Sequence, residues 1–128
     1  MLKLLLDEHV APAVALTLRK RIPAARIEIF AEWRNGDFLG SPDPVVLREA
    51  AVAGLILVTY DLRTIPPLLK EWAESGLTHG GVVFVDAKTI APNDVGALAR
   101  GLEKFLEANA DAGGTNRVWF LRRATESP

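Results

Sequence analysis

The feature that most constrains this chain is an alternation between two kinds of segment. Short apolar runs recur along its 128 residues, and stretches with helical spacing separate one run from the next. Leu2–Leu6, Leu55–Thr59 and Gly81–Val85 are nearly uninterrupted aliphatic runs, as a strand buried on both faces requires. Arg26–Phe30 alternates Ile27 and Ile29 with polar neighbours, which predicts a second strand nearer the sheet edge. Val118–Leu121 supplies a fifth strand.

Between these runs the punctuation is helical. Pro12 suits a first turn, Ala11, Val14, Ala15 and Leu18 follow at helical spacing, and Arg19, Lys20 and Arg21 form a basic end, which predicts a helix over 11–21. Ser41, Pro42, Asp43 and Pro44 read as a second start, capped by Ser41 or Asp43. That helix ends near Ala53, with Gly54 turning left-handed. Thr64 is expected to cap a third helix, Ile65–Ser75, stopped by Gly76 and carrying Leu68, Leu69 and Trp72 on one face. Val95, Leu98, Ala99, Leu102, Phe105 and Leu106 give the cleanest stripe, while 32–40 and 111–116 read as loops.

Strand and helix in strict alternation imply right-handed crossovers and a mainly parallel sheet. The expected fold is therefore α/β, a three-layer α/β/α sandwich around five strands. Residues 1–123 are expected to form a single domain and 124–128 a frayed C-terminal tail. A composition of 49% hydrophobic and 24% charged residues suits such a packed domain. The formal charge of -1 excludes a uniform basic field, so any nucleic-acid surface must be a local patch. Zero cysteines exclude disulfides, thiol nucleophiles and cysteine-ligated zinc or iron–sulfur sites. The opening apolar run stops at Asp7 and Glu8, too soon for a signal peptide, and Ala50–Val58 is about half the length of a membrane span. A cytoplasmic protein with no membrane partner is expected.

The acids fall where open α/β sheets place ligands, beyond the carboxyl ends of strands. Asp7 and Glu8 close the first strand, Asp61 lies just past the third, Asp86 closes the fourth, and Asp43 opens the helix leading into the third. Adjacent strands lie about 4.8 Å apart, and carboxylates at that separation repel by roughly 3 to 4 kcal/mol at an effective dielectric near 20. A divalent cation relieves that repulsion. With oxygen donors alone, Mg²⁺ or Mn²⁺ fits and zinc does not.

Each of these residues also has a plain structural reading. Asp43 sits where a helix attracts a capping acid, and Asp37 and Asp86 read as loop acids. His9 reads as a solvated histidine, and His79 shows no partner pattern. Trp33 could stack a base, yet Trp33, Trp72 and Trp119 all read as packing residues. Arg34, Arg63, Arg122, Arg123 and the Arg19–Arg21 run could contact phosphate, although charged helix ends are ordinary surface.

The segments LLLDEHV, SPDPVVLREA, LILVTYD and GVVFV, in this order and spacing, resemble the PIN-like superfamily, and within it a short bacterial branch. The resemblance runs from Leu2 to about Leu121. It implies an α/β/α sandwich and a Mg²⁺- or Mn²⁺-dependent ribonuclease, in some members the toxin of a toxin–antitoxin pair. Catalytic acids would be Asp7, Asp43 and Asp61, and Glu8 would join them in holding metal. Thr59 and Arg63 would bind substrate. RNA, an antitoxin and a second copy in a homodimer are the partners implied. The match departs at the fourth acid, where Asp86 is only a positional candidate, and at Tyr60, where relatives are often basic. A binding or regulatory module that has lost turnover is the alternative. A receiver-type phosphoacceptor domain is a further rival, with Asp61 as acceptor. It requires Ser or Thr after strand four and Lys-Pro after strand five, where this chain has Asp86 and Arg122–Arg123.

Overall fold

The computed structural model describes residues 1–124. Five strands, β1 (Lys3–Leu6), β2 (Ile27–Ile29), β3 (Leu55–Thr59), β4 (Val82–Phe84) and β5 (Val118–Phe120), alternate with α1 (Pro12–Arg21), α2 (Asp43–Ala53), α3 (Ile65–Glu74) and α4 (Val95–Ala108). The sheet order is β2-β1-β3-β4-β5, and every pairing is parallel. The three-layer α/β/α sandwich expected from the alternation is therefore the fold. Apart from Ala124, the expected tail lies outside the described residues.

Side-chain alternation along the strands sorts the core into two layers. Leu4, Leu6, Ile56, Val58 and Val83 face α1 and α4, where they meet Val14, Leu18, Leu98 and Leu102. Leu5, Leu55, Leu57, Val82 and Phe84 face the other way onto Val46, Leu47, Ile65 and Trp72 from α2 and α3. All five residues of β3 are buried, as its unbroken LILVT run requires at the centre of a doubly covered sheet.

Glycines close the ends of these elements. Gly54 takes φ 70° after α2, the expected left-handed stop. At the amino end of β4 the chain passes so close to the loop before β5 that a Cβ on Gly81, already at φ 114°, would lie 2.6 Å from the Gly114 carbonyl oxygen. The loop expected at 32–40 holds a 3₁₀ turn, Trp33–Gly36, in which Arg34 and Asn35 both adopt positive φ. Trp33 is buried there against Phe38, ring centroids 4.9 Å apart, so it packs and cannot stack a base.

Three expected caps differ. Pro42 occupies the N-cap of α2, and neither Ser41 nor Asp43 makes a capping hydrogen bond. Thr64 stands at the N-cap of α3 without capping it. Both helices begin with proline in the first turn, which leaves fewer free amides to satisfy and releases these side chains for other work. Arg19 and Arg21 are also committed. The Arg19 Nε donates to the Ile27 carbonyl at 3.1 Å, and Arg21 pairs with Glu103 to bind α1 to α4.

Candidate functional site

The strand order reverses direction between β1 and β3, the switch point at which an open α/β sheet forms its crevice. Asp7 leaves the carboxyl end of β1 and Thr59 ends β3. The Thr59 hydroxyl donates to Asp7 Oδ2 at 2.7 Å, while the Glu8 amide donates to Asp7 Oδ1 at 2.8 Å. Asp7 is thus fixed through both oxygens. The same Thr59 hydroxyl accepts from the Asp61 amide at 3.0 Å, so one buried side chain links the two strand ends. Thr59 is 0% exposed. It therefore positions the acids, which corrects the expectation that it touches substrate.

Asp61 folds back on its own turn. Its Oδ1 accepts from the Arg63 amide at 2.9 Å and the Thr64 amide at 2.8 Å, an Asx turn that satisfies free amides at the start of α3. Its Oδ2 accepts from the Thr64 hydroxyl, which also lies 3.1 Å from Asp43 Oδ2. Two carboxylates thus share a hydroxyl that carries one proton. Burial pushes the Asp61 carboxyl up, but hydrogen bonds from the Thr64 hydroxyl and from the Thr64 and Arg63 amides, with the nearby His9 imidazole, hold it below its ordinary value. Asp61 stays ionised, and Asp43 faces it across the shared hydroxyl.

A cavity of about 250 Å³ opens at this switch point. Asp7, Glu8, Ser41 and Asp43 form its polar wall, and Phe30, Leu57 and Ile65 part of its apolar lining. Asp61 and Thr59 do not line it but reach it through the hydrogen-bond chain just described. Four acids expected at one place are therefore arranged as three on a cavity and one tied to them. Among the described residues no three acidic or histidine side chains converge as a ready-made metal cage. The donor set nonetheless suits an ion that keeps most of its water and takes one or two carboxylates, as Mg²⁺ does. Asp7, Glu8 and Asp43 are the residues that could hold it.

The remaining candidates separate from the site. Asp86 accepts from the Lys88 amide at 2.8 Å and stabilises its own turn beyond β4. Asp37 is exposed on the loop after the 3₁₀ turn and does not line the cavity. His9 is exposed, its Nε2 4.0 Å from Glu8. Arg63 is exposed beside Asp61. Tyr60 turns to the α1/α4 side and donates to the Ile90 carbonyl at 3.0 Å.

Three residues escaped the sequence reading. Ser41 and Thr64, cap residues by type, serve the cavity wall and the acid pair instead. Threonine three residues after Asp61, with proline rather than an acid in the following turn, was the available signal for Thr64. His79 is buried with Nδ1 accepting from the Gly81 amide at 3.0 Å, and its own amide donates to Asn116 Oδ1 at 3.0 Å. It pins the loop before β5 to the start of β4. Among the described residues, no helix is long and apolar enough to cross a membrane. Comparison of the chain with protein-family models, curated proteins and solved structures finds no match.

Proposed function

We propose that this protein is a Mg²⁺- or Mn²⁺-dependent ribonuclease of the PIN-like type, hydrolysing RNA phosphodiesters at the cavity walled by Asp7 and Asp43. The observation that carries this reading is the fixed position of Asp7. Thr59 holds it at the β1/β3 switch point, on the same cavity as Asp43 and in the same hydrogen-bonded system as Asp61.

The residues divide the work. Asp7, Glu8 and Asp43 present carboxylate oxygens to the cavity and are the groups that would hold the ion. Thr59 and Thr64 keep the acids from rotating away, which removes the reorganisation a loose carboxylate would need. Asp61, held ionised, keeps the neighbourhood negative and favours a cation there. Arg63, exposed on the turn beside Asp61, is the cation that would contact a phosphate oxygen of a substrate reaching the cavity. When bound, the ion supplies a water of lowered pKa and neutralises charge developing on the phosphate.

A phosphoacceptor reading shares the strand order but meets an obstacle. Both Asp61 oxygens already accept hydrogen bonds from the start of α3, so neither is presented for phosphoryl transfer.

Calorimetric titration of Mn²⁺ into wild type, Asp7→Asn and Asp37→Asn tests the site, followed by incubation of each with single-stranded RNA. The reading predicts binding and cleavage by wild type and Asp37→Asn and neither by Asp7→Asn. Binding without cleavage in wild type would identify a non-catalytic module instead.

A further inference from the structure

The amino edge of the sheet, opposite the acids, carries a second cavity. It holds about 290 Å³ and lies where the end of α3 meets the turns that lead into β4 and β5. Leu69, Ala73 and Leu77 form its apolar wall, and Thr78, His79 and Asn116 its polar one. Among the described residues no charged side chain lines it. Its volume falls close to the lower bound of small-molecule pockets, roughly 300 to 1,000 Å³.

His79 sets the chemistry of the polar wall. Only 7% of it is exposed. The Gly81 amide donates to its Nδ1 at 3.0 Å, so the neutral ring carries its proton on Nε2. That Nε2–H has no hydrogen-bond partner among the described residues. No buried side-chain nitrogen or oxygen among them lacks a partner, so Nε2 reaches open space, and the cavity is the space that His79 borders. Holding the loops together accounts for the other polar groups. The His79 amide donates to Asn116 Oδ1 at 3.0 Å and the Asn116 amide to the His79 carbonyl at 2.9 Å, which keeps Asn116 at φ 60°. These bonds leave two donors over, the His79 Nε2–H and the Asn116 Nδ2 amide.

We propose that this cavity binds a small uncharged molecule of amide type, whose carbonyl oxygen accepts from His79 Nε2 while a short branched aliphatic group lies on Leu69, Ala73 and Leu77. The spare donors set the first requirement and the apolar wall the second. With no cation in the lining, a carboxylate would lose its hydration without a charge to replace it. Burial lowers the His79 pKa below 6.5, so the ring does not supply that charge at neutral pH. The site is separate from the acid-walled cavity and does not depend on the ribonuclease reading.

The test is titration of isovaleramide into isotope-labelled protein, followed by NMR through the nitrogens of the two histidine rings. His9, exposed at the opposite edge of the sheet, is the internal reference. The free protein should show the His79 proton on Nε2. Isovaleramide should shift that nitrogen saturably, with a Kd on the order of 1 mM for a ligand of this size, and leave His9 unmoved. Ala73→Trp, at an exposed helix position, fills the cavity and should abolish the shift. Leu77→Ala should weaken binding about fourfold or more, the worth of one methylene. Leu16→Ala removes a leucine on α1 that is 53% exposed, as Leu77 is, and should bind as wild type does. Circular dichroism should show an unaltered fold in all three. Isovalerate, the same skeleton with a carboxylate, should bind about tenfold more weakly or worse. No saturable shift in wild type, or equal affinity in Ala73→Trp, overturns the proposal and leaves His79 a pin between two loops. Tighter binding of isovalerate than of isovaleramide overturns the uncharged ligand. Either failure leaves metal binding and RNA cleavage at the opposite edge untouched.

Discussion

Thr59 is the side chain on which most of the site depends. Fully buried, it donates to Asp7 and accepts from Asp61, and Val would fit its volume while leaving both partners short of a bond. Thr59→Val should lower unfolding free energy by about 1 to 3 kcal/mol and weaken Mn²⁺ binding, whereas Thr59→Ser should retain both. Denaturant melts and metal titration of the pair separate positioning from packing. Asp7 was legible as a candidate because an acid directly after a buried aliphatic run has no helix to cap. Its tie to Thr59 was not, since the two lie 52 residues apart and only strand pairing brings them together.

Two side chains make stability depend on pH. Asp61 sits below its ordinary pKa of 3.8 for want of the proton its hydrogen-bond donors exclude, so its contribution is present above that value and disappears as pH falls through the folded one. Burial likewise lowers His79 below 6.5. Its neutral Nδ1 accepts from Gly81, and protonation would set two donors against each other. The His79 contribution is therefore present above pH 6.5 and lost as pH falls below it. Stability measured from pH 8 to 5 should decline in wild type and less so in a His79→Gln variant. An identical decline in both would refute this assignment.

At the scale of elements, the apolar runs and helical stripes gave the five strands and the four α-helices, though not the 3₁₀ turn at Trp33–Gly36, because burial on one or both faces writes a period into the sequence. Val95–Ala108 is the clearest instance, with Leu98, Leu102 and Leu106 all buried. Leu102→Ala should cost about 2 to 5 kcal/mol by chemical denaturation, since the side chain is fully enclosed. The ends of elements were less legible. Ser41, Asp43 and Thr64 are good caps by residue type, yet proline in each first turn and the neighbouring acids redirected them. The close approach of Gly81 to Gly114 is likewise invisible locally, as it joins segments from different parts of the chain. Gly81→Ala meets both a forbidden φ and a carbonyl oxygen, and should lower stability by about 2 kcal/mol or more, read from its midpoint of thermal unfolding.

The whole molecule follows from one topological fact. Placing β1 and β3 side by side, with the chain turning outward in both directions, brings the ends of two distant runs together at a crevice. Acids scattered at positions 7, 43 and 61 thereby share one hydrogen-bonded system, while Asp37 and Asp86, similar in sequence setting, remain outside it. Alternation alone predicted the layers. The strand order, which decides which acids meet, needed the packed structure.

The most direct measurement is cleavage of a single-stranded RNA with and without Mn²⁺ by wild type, Asp7→Asn and Asp86→Asn, each verified as folded. The account predicts metal-dependent cleavage by wild type and Asp86→Asn, and none by Asp7→Asn. Equal cleavage by wild type and Asp7→Asn, or loss in Asp86→Asn alone, would contradict it.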